Sequence, residues 1–249
     1  MKINTIVKAS LLGLIVNGAA IAGGNNTESV TIHQATYIQL TANKNQEAKL
    51  TNFLKAGAHL VQQTEPQTKL WFALQGNKDS FAIFDVFPDE AGRSAHFSGK
   101  VAAALRDNSE TLIKGGWKEG VLSAVQNSEI IATNNYKVNT VLESTKASYI
   151  VLKAKPGKEK ELANLLVDGA AIVSKTEPKT LFWLALKLDE STYAIFDTFT
   201  DDTGVDAHFS GAVAGALKSK AEDLVIGGWQ HGVLDNVHQF NIIAAVKGY

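Results

Sequence analysis

An α+β fold made of two tandem copies of one β-α-β-β-α-β module is what this sequence predicts. Three observations predict it. Whole motifs recur at a constant offset of 112 residues. Within each copy, β-branched and aromatic runs alternate with stretches of helical apolar spacing. The third strand of each copy is apolar on both alternating faces, as a strand is when helices cover one side and a second sheet the other.

The repeat comes first, because it divides the chain. Thr64-Glu65-Pro66 returns as Thr176-Glu177-Pro178, and Ala82-Ile83-Phe84-Asp85 as Ala194-Ile195-Phe196-Asp197. Ala95-His96-Phe97-Ser98-Gly99 returns as Ala207-His208-Phe209-Ser210-Gly211, and Gly115-Gly116-Trp117 as Gly227-Gly228-Trp229. Every pair is separated by 112, so no insertion or deletion separates the copies across this stretch. Two long copies mean a duplicated domain rather than a solenoid of short repeats. The modules are placed at residues 33–133 and 146–247, with a short polar linker between them.

Ahead of the first module, Lys2 and Lys8 are basic, residues 9–22 are short and mostly apolar, and Ala20-Ile21-Ala22 offers a small-x-small cleavage site. Residues 1–22 are therefore expected to be a signal peptide. The run is too short and too polar for a bilayer span, which takes about 20 apolar residues. A periplasmic or secreted bacterial protein is expected, with no membrane attachment after cleavage. A net charge of −1 gives no electrostatic reason to expect nucleic acid as a partner. The sequence has no cysteine, which removes disulfides, thiolate nucleophiles and cysteine-based metal sites.

The elements are clearest in the second copy. Residues 149–154 are β-branched and aromatic, a strand that Pro156-Gly157 ends. Leu162, Leu165, Leu166, Gly169, Ile172 and Val173 then form one helical stripe, stopped by Glu177-Pro178. Two strands follow at 181–188 and 192–199 around the polar turn Asp189-Glu190-Ser191. Asp201 or Asp202 caps a second helical region, broken in two at Ser210-Gly211. A loop carrying Gly227-Gly228-Trp229 leads to a last strand at 240–246. This order is the split-βαβ, ferredoxin-like plan.

These motifs resemble the antibiotic biosynthesis monooxygenase family of the dimeric α+β barrel superfamily. The residues that carry the resemblance are Pro156-Gly157-Lys158-Glu159 in the second copy and, in both copies, Thr-Glu-Pro followed by Trp-x-Ala-Leu, and Phe-Asp-x-Phe-x-Asp leading to Ala-His-Phe-Ser-Gly. The resemblance implies an intrachain version of a homodimeric barrel, hence a monomer in solution. It implies monooxygenation of a small aromatic or quinol-like compound by dioxygen, with no cofactor. The different-class alternative is a non-catalytic small-molecule-binding protein on the same fold. The haem-degrading branch carries its iron ligand about ten residues beyond the helix histidine, where this chain has Arg106 and Lys218; neither normally ligates haem iron.

Six histidines occur, and only His96 and His208 are equivalent at the repeat offset. Each is either a base or donor lining a pocket or a structural histidine at a helix–strand junction. Asp85 and Asp197 stand inside apolar strands, where a carboxylate needs a partner or a proton; they either orient the histidine or act as bases of raised pKa. A base must be neutral at working pH, so His96 serves as one only where Asp85 is engaged elsewhere. A tight His96–Asp85 pair points instead to binding or orientation. Phe97, Phe209, Trp71, Trp183, Trp117 and Trp229 are the candidate aromatic walls, with core packing the other role for Trp71 and Trp183. Trp117 and Trp229 are read either as lids or as packing across the seam between copies. Glu65 and Glu177 are read as solvated acids at helix ends. Two pockets are expected, one per copy, between helices and sheet. Exchanging both histidines for glutamine is expected to leave thermal stability nearly unchanged.

Overall fold

The structure, a computed structural model, describes residues 31–249; the expected signal peptide lies outside the described residues. The first copy contributes β1 (Gln34–Thr41), α1 (Glu47–Thr64), β2 (Leu70–Gln75), β3 (Ser80–Phe87), α2 (Glu90–Phe97), α3 (Lys100–Leu112) and β4 (Val125–Thr133). The linker holds one short helix, α4 (Val138–Val141). The second copy contributes β5 (Lys146–Lys153), α5 (Glu159–Thr176), β6 (Thr180–Lys187), β7 (Thr192–Phe199), α6 (Asp202–Phe209), α7 (Ala212–Leu224), α8 (Gly228–Gly232) and β8 (Val237–Val246).

The eight strands pair antiparallel into one closed barrel in the order β1-β3-β2-β8-β5-β7-β6-β4. Closure works by exchange. β4 pairs with β1 of its own copy and with β6 of the other, and β8 pairs with β5 and with β2. Each copy thus covers an edge that the other would leave open, and none of these eight strands has an unpaired edge.

Strand alternation sorts the side chains into three cores. Phe72, Phe84, Phe182, Phe196, Tyr37 and Tyr149 fill the barrel interior. On the outer face of the same strands, Trp71, Phe81 and Ile83 pack on Leu50, Leu54 and Val61 of α1. Trp183, Ile195 and Val173 repeat this in the second copy. Phe84 stacks on Phe196 with centroids 3.6 Å apart, and Tyr37 on Tyr149 at 3.9 Å. Each of these pairs joins residues that are equivalent at the 112-residue offset. Equivalent residues touch only on the axis that relates the copies, so the two stacks mark a pseudo-twofold through the barrel.

The linker departs from the expectation of a merely polar connector. Tyr136 packs edge-on against Phe182 at 4.7 Å, and Val141 is fully buried against the barrel-interior cluster. Its scattered apolar residues, Tyr136, Val138, Val141 and Leu142, are used as core.

Candidate functional site

Each copy builds one cleft between its helices and the outer face of the sheet. The helix α2 that carries His96 starts at Asp89, whose carboxylate accepts the Gly92 N–H at 2.8 Å. In α6, Asp201 caps Gly204 in the same way at 3.0 Å. Starting these helices just after β3 and β7 lays them back over their own strands. The imidazole then lands beside the aspartate of that strand.

His96 and His208 are both buried and held on two sides. The Nδ1 of His96 lies 2.6 Å from Glu65 Oε2, and its Nε2 lies 3.3 Å from Asp85 Oδ2. In the second copy the corresponding distances are 2.5 Å to Glu177 and 3.1 Å to Asp197. Thr68 and Thr180 donate their hydroxyls to Glu65 and Glu177. Burial alone would lower the pKa of His96. The Asp85 carboxylate and the contacts to Asp85 and Glu65 outweigh it and push the value up to about 10. His208 is raised to about 10 against its own burial by the corresponding groups of the second copy, Asp197 and Glu177. Each imidazole is therefore a cation at neutral pH, with both ring nitrogens committed to carboxylates.

Glu65 and Glu177 correct the reading of solvated acids at helix ends. Each is only 8% exposed and faces the histidine. Glu-Pro ends the helix, and the turn that follows swings the carboxylate inward beneath α2 or α6. The close packing also explains the glycine after the histidine. A Cβ at Gly99 would stand 2.8 Å from Glu65 Oε1, and one at Gly211 would stand 2.9 Å from Glu177 Oε1. A signal for these acids was present in the sequence, because Thr-Glu-Pro is kept in both copies as His-Phe-Ser-Gly is.

Asp85 and Asp197 are fully buried behind the histidines and form no part of the cleft walls. Their surroundings differ. Ser148 on β5 donates its hydroxyl to Asp197. Thr36, which holds that place in the first copy, gives its hydroxyl to Asn127 at 2.8 Å instead. Asp85 is left with no hydrogen-bond partner beyond its contact with His96. Burial, the largest influence, raises its pKa against the pull of His96.

The predicted aromatic residues do converge. His96, Phe97, Trp71 and Trp117 line a narrow cleft in the first copy. His208, Phe209, Trp183 and Trp229 line the equivalent cleft in the second. The remaining walls are aliphatic, so each histidine is the one titratable side chain in its cleft. Trp117 and Trp229 pack in the outer core of their own copy, which fits the wall or lid reading and not the seam. Lys218 lies 5.9 Å from the Trp229 ring.

Fold and site together define the class: an intrachain dimeric α+β barrel with one histidine-floored apolar cleft in each half. Solved structures share this fold. A "putative monooxygenase" from Fusobacterium nucleatum subsp. nucleatum matches with a TM-score of 0.70 at 14% identity, covering 87% of this chain and 95% of that one. A "putative monooxygenase" from Lactobacillus acidophilus matches at 0.67 and 12% identity, over 88% of this chain and 97% of that one. An "anthrone oxidase-like protein" matches at 0.56 and 12% identity, over 86% and 93%. Each of these chains spans both halves of the barrel. The resemblance read from the motifs is thus borne out at the level of the fold. No family model matches the chain, and no curated protein does.

Proposed function

We propose that the protein binds small, flat, neutral aromatic molecules of the phenol or quinol class, one in each cleft. The observation that carries this reading is the pairing of each imidazole with two carboxylates at the floor of an otherwise apolar cleft. An apolar slot walled by tryptophan and phenylalanine suits a planar ring. A histidine already protonated and bonded on both sides takes up no proton from a ligand, so it acts here by orienting the cleft wall. The buried group, one cation between two acids, also gives an anionic ligand no favourable charge to meet.

A second reading is oxygenation of the bound compound by dioxygen with no resident cofactor. It is favoured by the likeness to chains described as putative monooxygenases and as anthrone oxidase-like. In that reading the cleft concentrates and aligns an electron-rich ring away from water, and positioning does most of the work. The substrate's proton then leaves to solvent rather than to His96 or His208. The proposal includes export to the periplasm or beyond the cell.

One experiment separates the two. Purified protein is titrated with naphthol while tryptophan fluorescence is followed, and oxygen consumption is then measured against a panel of quinols and polycyclic phenols. Quenching without oxygen uptake supports binding alone, and uptake that depends on the protein supports oxygenation. Unchanged fluorescence throughout the panel contradicts both.

A further inference from the structure

The two clefts are copies of one another at nearly every wall position. One large difference stands on the long helix. Phe53 of α1 occupies the place that Leu165 holds in α5. The consequence is visible in how far each cleft runs. In the second copy Leu165, Gly169 and Ile172 all line it, and their four- and seven-residue spacing puts them on one face of α5. In the first copy Phe53 and Gly57 line it, but Leu60, the equivalent of Ile172, does not. That cleft instead reaches Leu122 and Val125 at its other end. Phenylalanine thus stands where the second cleft has the smaller leucine, and only in the second copy does the lining run on to the next turn of the helix, at Ile172.

We propose that the clefts are selective by size, the second accepting a three-ring aromatic that the first accepts poorly, with Phe53 and Leu165 as the determinants. This rests on the reading that the clefts bind aromatic compounds. Packed walls discriminate by the methylene, with factors of roughly 10–200 for a single group. A ring-sized obstruction in a close-packed channel is therefore expected to cost about tenfold or more in affinity. A two-ring ligand, short enough to stay clear of the Phe53 end, binds both clefts alike.

The test is calorimetric titration of the full chain with naphthol and with anthrol. Naphthol should show two equal sites per chain. Anthrol should show two classes about tenfold apart. Phe53→Leu should merge the anthrol sites into one tight class, and Leu165→Phe should merge them into one weak class, with the two naphthol sites remaining equal to each other in both. Each substitution installs the residue the other copy already carries there, and thermal melts verify that both variants fold. Two equal anthrol sites in the unaltered protein, or two classes that ignore the exchange, overturn the size selectivity while leaving aromatic binding intact. Failure of naphthol itself to bind removes the underlying reading and the selectivity with it.

Discussion

Replacing His96 by glutamine would strand two carboxylates that the fold keeps from water. Glu65 and Asp85 are 8% and 0% exposed, and His96 is the only cation placed between them. Removing one member of a buried charged group typically costs about 3–5 kcal/mol, because the others remain buried without compensation. His96→Gln should therefore lower stability by about that much in chemical denaturation. This corrects the expectation from sequence that the histidines could be exchanged with stability nearly unchanged. That expectation had no view of Glu65. The same cluster fixes a pH dependence. The folded protein holds the His96 and His208 protons up to about 10, whereas an unfolded histidine releases its proton near 6.5. The stabilisation is then complete below about 6.5, fades as pH rises, and is gone above about 10. Asp85, also raised, contributes with the same sign from a lower starting pH. Melting temperature should fall from pH 7 to pH 10, and a flat profile across that range would falsify the charged-cluster geometry.

At the scale of the element, the Gly-Gly-Trp segment shows what the sequence made legible and what it did not. Its repetition marked it as special, and its glycines as a loop, where the structure has a left-handed turn leading into a short helix, α8 in the second copy. The turn is real: Gly115 and Gly116 have φ of 84° and 60°, the left-handed region that side chains avoid. Its anchor was not legible. Glu110 on α3 accepts the Trp117 N–H at 3.1 Å, and Glu222 on α7 accepts the Trp229 N–H at 3.0 Å. An acid on or just past a helix reads as solvated unless the tertiary fold shows what turns toward it, and the same blind spot made Glu65 and Glu177 read as solvated despite their repetition. By contrast, the break at Ser210-Gly211 and a cap at Asp201 or Asp202 were readable, because local backbone chemistry decides both; the structure has Asp201. A methyl at Gly116 would meet Glu110 Oε1 at 2.3 Å in a strained conformation. Gly116→Ala should cost about 1–3 kcal/mol. It should also loosen Trp117 against the cleft, read as faster decay of its fluorescence anisotropy with Trp71, Trp183 and Trp229 replaced by phenylalanine. Unchanged stability and anisotropy would show that the turn does not set the cleft wall.

At the scale of the whole molecule, the constant offset and the doubly apolar third strand told that two sheets face each other. They could not tell that β4 and β8 cross to the other copy, since alternation fixes which face of a strand is buried and not which neighbour it pairs with. The exchange means that neither copy has a complete sheet of its own, so the chain should unfold in one cooperative transition. It also occupies the surface through which a single copy would pair, so light scattering should find a monomer. The strongest test lies on the axis. Phe84 and Phe196 are fully buried and stacked at 3.6 Å with planes 12° apart. Each Phe→Ala change removes a core ring and should cost about 3–5 kcal/mol. The double change should cost less than the sum, because the second ring removed has already lost its stacking partner and the two cavities merge into one. Coupling of about 0.5–3 kcal/mol is expected for residues in such contact. Denaturant unfolding of the four proteins in this cycle measures it. Additivity within about 0.5 kcal/mol, the behaviour of distant sites, would mean that the two rings do not meet and that the copies are not related through this stack.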